Sequence, residues 1–193
     1  MDMKLEVVTI PVSDVERAKA FYLQLGWRLD ETPDWVVQLT PPGSPCSIHF
    51  GPNRTSAPPG SSENNYLIVS DIEATHRDLV ERGIDVSEVF HLGDDGPVSG
   101  PAPGHATYSS LATITDPDGN RWTLQEVTTR LPGRVEATET SFGSVSDLAG
   151  ALRRAAAAHG EHEKREGGVY DEQWPDWYAE YMASEAAGTE LPT

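Results

Sequence analysis

Six histidines supply the groups of this chain that titrate nearest neutral pH, and their spacing sorts them. His49 lies in the alternating stretch Cys46 to Phe50, where strand geometry puts Ser47 and His49 on one face. Thr123 and Gln125 share a face in the same way within Arg121 to Val127. An imidazole on such a face can act as general base, general acid or hydrogen-bond partner, so His49 is the catalytic candidate. Glu126 has the opposite parity to Gln125, as Glu6 has to Val7, so both carboxylates point away from that face. His159 and His162 stand three apart beside Glu163 on an expected helix. They read as a polar, solvated helix end, the alternative being two ligands of a metal. His76 falls mid-helix among charged residues and is expected to be exposed, while His91 and His105 fall in a long loop. Trp35, Tyr66 and Tyr108 offer aromatic walls for a flat ligand. Cys46 is the sole cysteine, which excludes a disulfide or thiolate cluster within the chain. Phosphate-loop and dinucleotide fingerprints are missing, and no serine–histidine–acid set can be read.

The elements that must position these residues come as a repeat. Val12-Ser13-Asp14-Val15-Glu16 recurs 57 residues later as Val69-Ser70-Asp71-Ile72-Glu73, and Gly26 recurs as Gly83 at the same offset. In the first copy, Leu5 to Val12 reads as a strand. Ser13 and Glu16 form a capping box, and Val15, Ala18, Phe21, Tyr22 and Leu25 make the buried stripe of a helix. Strands at Trp27–Leu29, Trp35–Thr40 and Cys46–Phe50 complete a β-α-β-β-β unit. Residues 51–63 form a linker. The second copy repeats the order with strands at Tyr66–Val69, Ile84–Phe90, Leu111–Thr115 and Arg121–Val127, and Ser70 with Glu73 repeats the box. Pro41-Pro42-Gly43 matches Pro117-Asp118-Gly119 at an offset of 76, so the second unit carries 19 more residues. They fall around His91 to Ser109, which is too rich in Gly and Pro for regular structure and reads as a lid or binding loop. The two units occupy residues 1–52 and 62–130 of one domain, 1–130. Residues 131–193 form a helical extension: Ser144 starts an alanine-rich helix to about Arg165, and Pro175 starts a second whose Trp177, Tyr178, Tyr181 and Met182 make an aromatic face. Too small to bury a core of its own, this hairpin is expected to dock that face on the main domain or a partner subunit.

A net charge of −17 repels phosphate backbones and anionic membranes, so neither nucleic acid nor a membrane is an expected partner. No apolar stretch approaches the ~20 residues of a membrane span, and no secretory signal is visible. A cytoplasmic protein is expected.

Tandem βαβββ units opening Val-Ser-Asp, the second carrying Asp116-Pro117-Asp118-Gly119-Asn120, resemble the vicinal-oxygen-chelate superfamily of glyoxalase I, bleomycin-resistance proteins, fosfomycin-resistance enzymes and extradiol dioxygenases. The resemblance covers roughly residues 4 to 130. It implies an α+β fold whose modules curl into a half-open barrel around a pocket, and it implies a homodimer. Metal-dependent members place a ligand seven residues before the Asp of the Val-x-Asp motif, here Val7 and Asn64, and in each last strand, here Thr123 and its mate Ser47. Neither histidine nor carboxylate stands at these four positions, so no metal or other cofactor is expected. Counted from the turn, His49 and Gln125 are pseudo-symmetric mates facing the pocket. A small organic ligand would then rest against Val7, Thr9, Ser47, Asn64, Tyr66, Thr123 and Gln125, with Trp35 and Tyr108 as walls. The leading expectation is a metal-independent protein that sequesters or transforms that ligand. A metal-dependent lyase or dioxygenase with a site rearranged around His49 and Glu126 stands second. An interaction module docking through its aromatic tail stands third.

Overall fold

The computed structural model describes residues 3–133, 140–142, 145–165, 167 and 171–192, in two compact units, Met1–Thr128 and Thr129–Thr193. The first unit runs β1 (Val7–Thr9), α1 (Val15–Gln24), β2 (Arg28–Leu29), β3 (Val37–Thr40), β4 (Ser47–Phe50), then β5 (Asn65–Val69), α2 (Ile72–Glu81), β6 (Phe90–Gly93), β7 (Gly96–Ser99), β8 (Ser110–Thr115) and β9 (Arg121–Glu126). One sheet has the order β1-β4-β3-β2 and the other β5-β9-β8-β6-β7. The expected α+β architecture of two tandem modules is present, and the sheets do not close into a barrel.

Three local expectations are corrected. The helices are capped by Asp14, which accepts from the Arg17 amide at 3.0 Å, and by Asp71, which accepts from the Ala74 amide at 2.8 Å. A carboxylate is the stronger acceptor at a positive helix end, so Asp takes the role assigned to Ser13 and Ser70. The stretch expected to be irregular folds into the β6–β7 hairpin, turned at Asp94-Asp95, followed by a single 3-10 turn at Pro103–His105. Its glycines supply the turn rather than disorder. Before it, the segment from Ile84 makes only a lone bridge, Val86 to Ile114, so the strand begins at Phe90.

Both modules bury the helix-bearing faces of their sheets in one core. Tyr22, Trp27 and Phe50 of the first meet Trp122, Leu124 and Ile114 of the second. Trp122 stands edge-on to Tyr22 and Trp27, with centroids 6.1 and 5.3 Å away. The Asp-Pro-Asp-Gly-Asn turn locks this junction. Buried Asp116 accepts from the Tyr22 hydroxyl at 2.9 Å, from Asn120 Nδ2 at 2.7 Å and from the Asp118 and Asn120 amides, both at 2.9 Å. Asn120 donates to the Pro11 carbonyl at 2.9 Å and accepts from the Ser62 amide at 3.0 Å. Asp118 accepts from the Ser13 amide and hydroxyl and from Arg17 Nη2, which lies 2.9 Å away. The repeated Ser13 therefore ties the modules together rather than capping its helix. Gly60 fits the same junction because its φ is +78° and a Cβ there would lie 2.0 Å from the Asp118 carbonyl oxygen.

The second unit contains α3 (Val145–Arg165) and α4 (Trp174–Ala187), with Pro175 in the first turn of α4. Ser144 lies outside the described residues. Ala151, Ala155 and His159 form the buried stripe of α3. The aromatic side chains of α4 turn onto this helix, with His159 5.0 Å from Trp177 and 5.4 Å from Tyr178. The aromatic face, expected to dock on the main domain or a partner subunit, packs on α3 within the hairpin. Gly188 ends α4 at φ +67°, where a Cβ would lie 2.2 Å from the Arg130 carbonyl oxygen.

Candidate functional site

Pleating sends alternate side chains of each sheet away from the core. In the first sheet the pairing aligns Thr9, His49 and Gln38 in one row and Val7 with Ser47 in the next. Thr9 Oγ1 and His49 Nε2 share a hydrogen bond of 2.6 Å. Asp30 continues the first row, its amide donating to the Gln38 carbonyl at 3.0 Å. Its carboxylate gathers the polar side chains around it: Thr40 Oγ1 donates at 2.6 Å, Gln38 Nε2 at 3.1 Å and Arg28 Nε at 3.1 Å. Burial alone would raise the Asp30 carboxyl, but these donors outweigh it and hold the group below the usual carboxylate range. Ser47, expected at the ligand, shares a 2.7 Å hydrogen bond with Thr40 and is buried. His49 is held below the ordinary imidazole value, first by burial and then by the charge of Arg54. Both effects favour the neutral imidazole.

The second sheet aligns Tyr66, Thr123 and Thr113 in one row and Ile68, Gln125 and Leu111 in the next. Tyr66 and Ile68 are exposed. Gln125 Nε2 donates to the Tyr108 carbonyl at 2.9 Å, which holds its amide against the loop before β8. Asn64 precedes β5 at φ +59°, exposed. Trp35 is exposed in the turn before β3, with Arg54 Cζ 4.1 Å above its ring.

The register changes one assignment. Thr9 pairs with His49 and Tyr66 pairs with Thr123, while Thr9 and Tyr66 stand 57 residues apart, the offset of the repeat. The mate of His49 is therefore Thr123, not Gln125, and the last-strand position of the first module is His49, not Ser47. The two hairpins differ in length, so counting from their turns misaligns the strands that follow. The four positions where the fold family holds a metal become Val7, Asn64, His49 and Thr123. One imidazole with no carboxylate or second imidazole is not a donor set for Fe, Mn, Ni or Zn, so these residues do not fit such an ion. Among the described residues no three His, Cys, Asp or Glu side chains converge to hold one.

The other reactive groups are engaged elsewhere. Glu126 is buried on the helix side of β9, where it accepts from the Ile72 amide at 3.1 Å, Ser110 Oγ at 3.0 Å and His105 Nδ1 at 3.0 Å. Its role is to fasten α2 and the loop before β8, as its parity implies. His76 is half-buried rather than exposed, its Nε2 unpartnered among the described residues. His91 Nδ1 donates to the Gly100 carbonyl at 3.0 Å. His159 is buried, not solvated: its Nε2 lies 3.1 Å from Asp171 Oδ2 and its ring meets the aromatic side chains of α4. Burial and then the charge of Glu6 push the Cys46 thiol up, which suits a structural thiol rather than a nucleophile. Asp30, Gln38 and Thr40 are the members of the first face that sequence reading missed. Gln38 and Thr40 alternate with Val37 and Leu39, a signal that could have assigned them to it.

Among the described residues no helix is long and apolar enough to cross a membrane. A family model for the Glyoxalase/Bleomycin resistance protein/Dioxygenase superfamily matches residues 4–124. No curated protein matches the chain. Among solved structures, TnmS3, an antibiotic binding protein from Streptomyces sp. CB03234, is 28% identical at a TM-score of 0.51, covering 65% of this chain and 97% of its own. A glyoxalase/bleomycin resistance protein from the same organism is 29% identical, at a TM-score of 0.49, covering 64% of this chain and 100% of its own. A member of the superfamily from Sphaerobacter thermophilus DSM 20745 is 26% identical, with a TM-score of 0.48 and coverage of 65% and 98%.

Proposed function

The chain belongs to the glyoxalase/bleomycin resistance protein/dioxygenase superfamily, and on that premise we propose that it binds a small organic molecule against the helix-free faces of its sheets, without a metal ion. One observation carries this reading. The row Thr9, His49, Gln38 and Asp30 is a pre-organised set of hydrogen-bonding groups on the side of the sheet that the core does not use. Polar side chains that hold one another in place lose little freedom on meeting a ligand, which favours specific binding. His49 orients the ligand: Nε2 is committed to Thr9, which leaves Nδ1 to accept or donate. The second face contributes Tyr66, Ile68 and Thr123 as apolar and aromatic cover. In this reading the working form is a cytoplasmic homodimer, in which a second copy covers these faces. The likeness to an antibiotic binding protein supports a ligand of that kind, sequestered rather than transformed.

Titrating the purified full chain with a panel of antibiotics, bleomycin first, and following tryptophan fluorescence and heat of binding tests this reading. Saturable 1:1 binding per chain is expected, weakened in His49→Ala, with elemental analysis showing no bound transition metal. Near-stoichiometric Fe, Mn, Ni or Zn, lost together with binding in His49→Ala, would replace the proposal with a metal-dependent site.

A further inference from the structure

Arg54 lies in the linker after β4, half-buried, with its guanidinium carbon 4.1 Å above the Trp35 ring. Stacking fixes the plane of the guanidinium and leaves its edge, with the N–H donors, free to point outward. Among the described residues Arg54 has no carboxylate partner and no hydrogen-bond acceptor, in a chain of 31 acidic residues. Arg28, the other arginine of this region, is by contrast spent on Asp30 at 3.1 Å. Arg54 also bears on the site itself, because its charge helps keep the His49 imidazole neutral.

We propose that Arg54, braced on Trp35, is an anion subsite at the edge of the ligand-binding face, and that the ligand is a flat molecule carrying a carboxylate, phenolate or comparable oxyanion. The proposal rests on the binding role given above to the face around His49. An oriented guanidinium presents two parallel donors to such a group, a geometry that ammonium cannot reproduce. Trp35, more than half exposed, offers ring surface beside the charge. The overall charge of −17 repels anions, so a cation left unpaired here acts against the field of the whole chain. Selectivity for an anion then comes from one residue rather than from the surface at large.

The test uses 1-naphthoate and its neutral isostere 1-naphthamide, titrated into the full chain, into Arg54→Gln and into Arg54→Lys. Amide chemical shifts of Thr9, Gln38 and His49 and tryptophan fluorescence serve as readouts. Naphthoate should bind about tenfold tighter than the amide, the scale of one hydrogen bond to a charged group. Arg54→Gln should abolish that preference, so that naphthoate binds no tighter than the amide, and Arg54→Lys should restore part of it. Equal affinities in the native chain, or a preference that survives Arg54→Gln, would overturn the subsite and leave the binding face standing. Failure of both probes to move any of the three amides would overturn the face and the subsite together.

Discussion

The helix-free faces of the two sheets descend from one repeated pattern and have little in common. In the first, Thr9 and His49 stand where Tyr66 and Thr123 stand in the second. The first face is organised around a charge, with Asp30 drawing in Thr40, Gln38 and Arg28. The second carries hydroxyls and apolar side chains, and its amide at Gln125 is tied down by a loop. The opposite faces, turned to the shared core, kept their rules: alternate apolar side chains, an Asp-capped helix and a first strand parallel to the last. Burial constrains residue type on one side of a strand and leaves the other side free to specialise. One module recognises polar groups, and the other covers.

The largest effect on both faces is expected at the junction that the two modules share. Asp116→Ala would remove the acceptor of the Tyr22 hydroxyl, of one N–H of the Asn120 side chain and of two turn amides at once. Each buried group left unsatisfied costs about 1–3 kcal/mol, so a loss of about 4 kcal/mol or more is expected in urea unfolding. Both faces should fail together, with one transition before and after. If the second module alone melted, the modules would not share a core.

A smaller effect, confined to the second module, is expected at Glu126. Glu126→Ala removes the acceptor of the Ile72 amide, of Ser110 Oγ and of His105. A loss of about 2–3 kcal/mol should follow. Hydrogen exchange should quicken in α2 and in residues 100–110 while β1 and β4 stay protected. The loop is poised for release, because His105 and Tyr108 sit at φ +51° and +65°, conformations that non-glycine residues hold only when their surroundings insist.

Smaller still, and opposite in sign, are the contributions of two histidines. His105 is held above its ordinary value by its hydrogen bond to Glu126, by the charge of Glu126 and by Glu73 and Asp71. Its stabilisation is complete below the unfolded value of about 6.5 and is lost as pH rises through the higher folded value. His49 is held below its ordinary value, so the folded state resists its proton. It leaves stability untouched above about 6.5 and lowers it as pH falls toward the folded value. Unfolding midpoints from pH 5 to 8.5 should show His105→Gln flattening the alkaline limb and His49→Gln flattening the acid limb. The same limb flattened by both variants would refute the assignment.

The fold was legible because Val-Ser-Asp and the Asp-Pro-Asp-Gly-Asn turn are local patterns, and the parity of Glu126 followed from alternation alone. The face around Asp30 was not legible, since it depends on which strand lies beside which. Gln38 and His49 are eleven residues apart and meet only through the β3–β4 register. The mate of His49 was misassigned for the same reason: hairpin length sets register, and the two hairpins differ. His159 read as solvated because its helix end is rich in charge, whereas the aromatic side chains that cover it arrive from α4.

The smallest effect tests whether the first face is pre-organised or merely polar. Thr9→Val keeps the shape of the side chain and the β propensity of the strand but removes the partner of His49 Nε2. Because His49 is only partly buried and water can replace the hydroxyl, stability should fall by no more than about 1 kcal/mol. Ligand affinity should fall further than stability does, since the freed imidazole must be re-ordered at each binding event. The matched change on the other face, Thr123→Val, removes no hydrogen bond to an ionisable group, and there binding should follow stability alone. Measuring both variants by calorimetry and by thermal unfolding separates the two cases. If Thr9→Val and Thr123→Val reduced affinity equally, the division between a recognising face and a covering face would be wrong.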